Sequence, residues 1–187
     1  MSRYYSYLLS SLPLLNFGMT PPIDMDYFLG ILKDFIPENE VDTISRFARE
    51  DVMNLQTDVP VIRSFQSFDA ALRNHLVRLR CIDRNAAPEK YLQRREERID
   101  QRIEQYVLEA YKSTDPVESE RILDMARWNF LTEMATGHIF DFPALLVYTM
   151  KLRILEKWQT IAASDTDMIF NTTLSSFSLQ DLPVSRS

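Results

Sequence analysis

Glycine occurs only three times in this chain of 187 residues, at Gly18, Gly30 and Gly137. All-β folds and phosphate-binding α/β folds spend many glycines on turns and on close backbone approach. So few glycines point instead to long helices with short connections. A glycine-rich phosphate loop is absent, which excludes nucleotide binding by the known loop motifs. Cysteine occurs once, as Cys81, so no intrachain disulfide can form and a reducing compartment is expected. In "LVRLRCID" it sits at helical spacing with Leu79 and Ile82, which reads as a small buried hydrophobe. Histidine occurs twice, at His75 and His138, too far apart in sequence to form a local zinc motif.

Concentrated positive charge is also lacking. The formal net charge is −6. Residues 1–63 carry nine acids and five bases, 64–114 eight and ten, and 115–187 ten and six. A slightly basic middle between two acidic flanks is not a nucleic-acid footprint, but it suits charge-steered docking onto a protein. No apolar run approaches the roughly 20 residues that cross a bilayer. The best, "FPALLVYTM", reaches Lys151 too soon. At the N-terminus, "YYSYLLSSLPLL" has serines and Pro13 within its apolar run, and "NFGMTPPID" offers no cleavage site. We therefore expect a first helix ending near Pro13 rather than an export signal, with Tyr5, Leu8 and Leu12 packed inward. A strand is the alternative, since tyrosines favour strands.

The periodicity predicts helices along most of the chain. Asp24 caps one over Met25–Ile36, and Pro37 stops it. A second restarts at "ENEVDTISRFAR". A break is expected around Pro60, then a helix from Ser67 to Asp83 with Phe68, Ala71, Leu72, His75, Leu76, Leu79 and Ile82 on one face. The charged run "EKYLQRREERIDQRIEQYVLEAYKS" reads as one long helix entered through Pro88. Thr114 or Asp115 caps the next, with Pro116 in its first turn, and Gly137 ends it. Asp141 caps an apolar helix from "FPALLVYTM" that belongs at the centre of the core. A short further helix capped by Ser164 follows. The fold class is all-α, a bundle of about seven or eight helices. A single domain over residues 1–180 is expected, with a sub-division possible near 58–66 and a flexible tail at 181–187.

Chemistry has few footholds. His138 and Asp141 in "GHIFD" are the one plausible metal pair, and a polar residue beside a helix cap is the ordinary explanation. No nucleophile elbow is present. The carboxylate pairs Glu96–Glu97 and Glu118/Glu120 read as solvated faces. Arg94, Arg95, Arg98 and Arg102 make a candidate interaction surface, with Glu96, Glu97 and Asp100 diluting their charge. Arg153 and Glu156 lie three apart in an otherwise apolar helix, so each can reach the other. They can also act as polar anchors between helical layers.

Two stretches carry a family resemblance. The tyrosines Tyr4, Tyr5 and Tyr7, then Ser11-Leu12-Pro13, Pro21-Pro22 and Phe28-Leu29, resemble the start of a bacterial family of uncharacterised proteins encoded within V/A-type ATP synthase operons. The helix "FDFPALLVYTMKLRILEKWQ", which includes Arg153 and Glu156, also resembles a late helix of the C (or d) subunit of these rotary ATPases. The C subunit is built from repeated helical domains and is longer than this chain, so a shortened equivalent or an accessory factor is implied. The resemblance implies an all-α, non-catalytic adaptor linking or assembling the central stalk, with stalk or ring subunits as partners. It implies no catalytic residue, cofactor, metal, small-molecule substrate or nucleic acid. The expected location is cytoplasmic, at most peripheral at the cytoplasmic face of the membrane. The rival readings are a small helical enzyme or metal-binding protein using His138 and Asp141, and an RNA-binding module on Arg94 to Arg102.

Overall fold

Aspartate and proline set most of the helix boundaries. The computed structural model describes residues 5–93 and 101–180, with side chains described for 5–93 and 102–164. The described residues form seven α-helices and no strand: α1 (Ser6–Ser11), α2 (Met25–Phe35), α3 (Glu38–Arg49), α4 (Pro60–Asp83), α5 (Gln101–Lys112), α6 (Pro116–Met134) and α7 (Phe142–Gln180). Three aspartates supply the oxygen that each helix start needs. Asp24 accepts from Tyr27 N at 2.7 Å, Asp115 from Val117 N at 2.9 Å and Asp141 from Ala144 N at 3.2 Å. Gly137, at φ 89°, turns the chain between α6 and α7, a conformation that side chains with a Cβ resist.

Four features differ from the sequence expectation. Helix α4 starts at Pro60, seven residues before Ser67, because proline at the first helical position forfeits no hydrogen bond. Pro88 opens only a short 3-10 turn, Pro88–Lys90, and no α-helix follows it over Tyr91–Gln93. Asn74 explains this: its amide donates to Gln93 O at 3.0 Å and its oxygen accepts from Gln93 N at 2.7 Å, taking both backbone groups a helix would use. Ser164 caps nothing. It lies inside α7, where its hydroxyl donates to Thr160 O at 2.9 Å. Ile82, expected on the buried face of α4, is 74% exposed because it lies in the last turn of the helix. The expected tail at 181–187, Tyr4, and the run 94–100 lie outside the described residues.

One apolar core runs from Tyr5 to Leu155. Helix α7 is its axis, with Leu145, Leu146, Leu152 and Leu155 fully buried. Helix α6 runs antiparallel to α7: Lys151 sits over the Trp128 ring, and six residues later Lys157 reaches back to Glu120. Helix α4 packs antiparallel on α6. There the Phe68 and Phe130 rings stack at 4.1 Å, and Asp69 meets Arg127. Helix α5 flanks α6 through Ile103, Val107 and Ala110, with Tyr106 OH accepting from Asn129 at 2.8 Å. The α2–α3 hairpin lies against α7, tied internally by Arg49 and Asp26 at 2.7 Å. Helix α1 is pinned where Tyr5 N donates to Phe140 O and Tyr5 OH to Glu40. Beyond it, Tyr148 OH donates to Pro13 O, and Phe17 meets the Trp128 ring edge-on.

Helix α7 has 39 residues, a length of roughly 58 Å at 1.5 Å per residue. Its core side ends near Trp158, and Ala162, Ala163 and Ser164 are exposed. Among the described residues no helix is long and apolar enough to cross a membrane.

Candidate functional site

Helix α6 places Glu120, Asp124 and Arg127 at spacings of four and three, on one face. That face meets α4 and α7 in a buried charge cluster. Arg127 Nε donates to Asp69 Oδ1 at 2.7 Å, and its Nη1 to Asp124 Oδ1 at 2.6 Å and Glu120 Oε1 at 3.1 Å. Arg73, one turn along α4, takes the second oxygen of Asp69 at 2.7 Å. From α7, Lys157 Nζ donates to Glu120 Oε1 at 2.6 Å and to Asp124 Oδ2 at 2.8 Å. Trp158 Nε1 also donates to Asp124 Oδ2, at 3.0 Å. Asp69, Asp124 and Arg127 are buried, while Arg73, Glu120 and Lys157 reach solvent.

Three acids and three bases balance within this cluster. Burial by itself lowers the Arg127 pKa. Asp69, then Asp124 and Glu120, outweigh it and hold the guanidinium above its usual value. A cavity of 360 Å³ opens beside the cluster, with Phe65, Met150 and Arg153 also in its wall. Both oxygens of Asp69 and of Asp124 already accept strong donors, so neither is a free base facing that cavity. What the arrangement does chemically is clamp α4, α6 and α7 in register. Sequence reasoning misses it. Glu120 reads there only as one of a solvated pair with Glu118, and Arg127 with Asp124 carries no signal beyond their shared helix face.

Arg153 and Glu156 do not pair with each other. Arg153 Nη1 donates to Phe47 O at 2.9 Å and Glu50 O at 2.7 Å, at the C-terminal end of α3. Glu156 Oε1 accepts from Met25 N at 2.6 Å, at the first residue of α2. A cation thus meets the negative end of one helix dipole and an anion the positive end of another. Burial lowers the Arg153 pKa, and Asp51 partly offsets this. One helical turn of α7 therefore docks both arms of the α2–α3 hairpin. Lys151, earlier on α7, lies 5.0 Å from the Trp128 ring centre, and burial lowers its pKa.

The other sequence candidates are separated. Tyr5 and Leu8 are buried, Leu12 is partly buried, and Pro13 offers its carbonyl to Tyr148. Of the arginine surface, Arg94, Arg95 and Arg98 lie outside the described residues. Arg102 is held by both carboxylate oxygens of Glu133 on α6. His138 Nδ1 is 2.6 Å from Asp141 Oδ2, while Asp141 Oδ1 caps α7. Among the described residues no group of three His, Cys, Asp or Glu side chains is placed to hold a metal ion. Cys81 is buried.

Residues 100–176 match the model of a family described as "Protein of unknown function (DUF2764)". The matched stretch holds α5, α6 and most of α7, and so contains Arg127, Arg153, Glu156 and Lys157. No curated protein and no solved structure matches the chain.

Proposed function

We propose that this chain is a non-catalytic helical adaptor or accessory subunit of a V/A-type ATP synthase or ATPase, acting at the central stalk. The observation that carries the reading is the N-terminal pattern of Tyr4, Tyr5, Tyr7, Ser11-Leu12-Pro13 and Pro21-Pro22, which resembles the family encoded with those enzymes. A relation to the C (or d) subunit is part of the same proposal. The chemistry of the described residues is in keeping with it. The buried titratable groups satisfy one another, and Arg153 and Glu156 spend their charge on helix ends. Such groups hold a rigid scaffold and leave its outer faces for binding. The test is to resolve the ATPase from the source cells by size and probe each fraction for this chain. Comigration with the assembled enzyme is expected. Absence of the chain from every fraction holding ATPase subunits contradicts the proposal.

A further inference from the structure

Helix α1, the end of α2 and the start of α3 converge on a surface that packing and capping do not account for. The Tyr7 ring lies 5.6 Å from the Phe35 ring, yet Tyr7 is 74% and Phe35 44% exposed. Beside them is a groove of 920 Å³ with Ile36 and Val41 in its wall and Lys33, Glu38, Asn39 and Asp42 around it. Asp34, Glu38 and Asp42 are exposed and form no ion pair with any described residue. With Glu40, whose charge is held by the Tyr5 hydroxyl, and with Lys33, the local net charge is −3.

The α3 dipole explains Glu38 and Glu40, which stand in its first turn. It does not explain Asp34. That carboxylate sits in the last turn of α2, at the negative end, where a cation is favoured. Nor does folding explain two neighbouring aromatic rings left in water. Elsewhere on the hairpin the acids are partnered: Asp26 with Arg49, and Glu50 with Arg46.

We infer that this surface docks a basic amphipathic helix of a protein partner. The apolar face of that helix covers Tyr7 and Phe35, and its lysines or arginines meet Asp34, Glu38 and Asp42. The excess of carboxylates disfavours an anionic membrane as the occupant. The inference does not depend on which assembly the partner belongs to, and its test uses no ATPase.

The probe is a synthetic amphipathic peptide with lysine on one face and leucine on the other, labelled for fluorescence anisotropy with the full chain. We expect binding that weakens as salt rises. The triple variant Asp34→Asn/Glu38→Gln/Asp42→Asn should weaken it by about tenfold, and Phe35→Ala should weaken it as well. A control triple of exposed acids on α5 and α6, Glu104→Gln/Glu109→Gln/Glu118→Gln, should leave affinity within about twofold. Circular dichroism checks that each variant is folded. Three results would overturn the inference: no binding of the peptide, equal weakening by the control triple, or preferential binding of anionic lipid vesicles that depends on Phe35.

Discussion

Replacing Arg127 with methionine removes the charge at the centre of the three-helix clamp while keeping most of the buried stem. The structure sets the size of the effect. Arg127→Met deletes hydrogen bonds to Asp69, Asp124 and Glu120. Asp69 then keeps Arg73, and Asp124 keeps Lys157 and Trp158. Breaking a buried ion pair costs about 3–5 kcal/mol, because a charge is left without its partner. The surviving partners put the loss at the lower end, about 3 kcal/mol. In a chain of this size that lowers the melting temperature by roughly 6–12 °C. Urea unfolding followed by circular dichroism measures it directly. A companion variant separates burial from pairing. In Asp69→Asn/Asp124→Asn/Arg127→Met no carboxylate of the clamp stays buried, and Arg73 and Lys157 turn to solvent. It should therefore be more stable than Arg127→Met alone. A loss below about 1 kcal/mol for the single variant would refute the reasoning, because the cluster would then be behaving as an exposed pair.

The docking of the hairpin predicts a loss of about 2 kcal/mol for Arg153→Ala, which strips a charged donor from Phe47 O and Glu50 O. Glu156→Ala should cost about 1 kcal/mol, the usual loss of a helix cap; both are read from urea midpoints, and wild-type midpoints would contradict the clamp. Burial pushes the Tyr148 hydroxyl up to about 12, against about 10 in an unfolded chain. The fold prefers the protonated form, so this contribution is intact below about pH 10 and is lost as pH rises towards about 12. The stability gap between wild type and Tyr148→Phe should therefore narrow over that window in alkaline melts, and a constant gap would count against it. Phe68→Ala should cost about 3–5 kcal/mol by opening a cavity against Phe130, and a loss under about 1 kcal/mol would mean the ring pair is not a core contact.

What the sequence made legible were features governed by near neighbours. Asp24, Asp115 and Asp141 are readable as caps because the amides they bind lie two or three residues away. The apolar stretch of α7 announces a core helix by its own composition. Pro60 misleads because a proline reads equally as a break or as a first helical residue, and only packing of Val61 and Ile62 decides. The missing helix at Tyr91–Gln93 depends on Asn74, 19 residues away. The site is harder still. Arg153 and Glu156 look like an i, i+3 pair, yet their partners are backbone groups 106 and 131 residues distant. Arg127 finds Asp69 at a separation of 58 residues, and no local pattern distinguishes a charge that will be buried from one on a solvated face.

The adaptor role is tested most directly by affinity capture of the tagged full chain from its own cells, with the recovered proteins identified by mass spectrometry. The account predicts that stalk or ring subunits of a V/A-type ATPase are recovered with it, and that they are absent from a mock capture. Recovery of the chain without any ATPase subunit would contradict it.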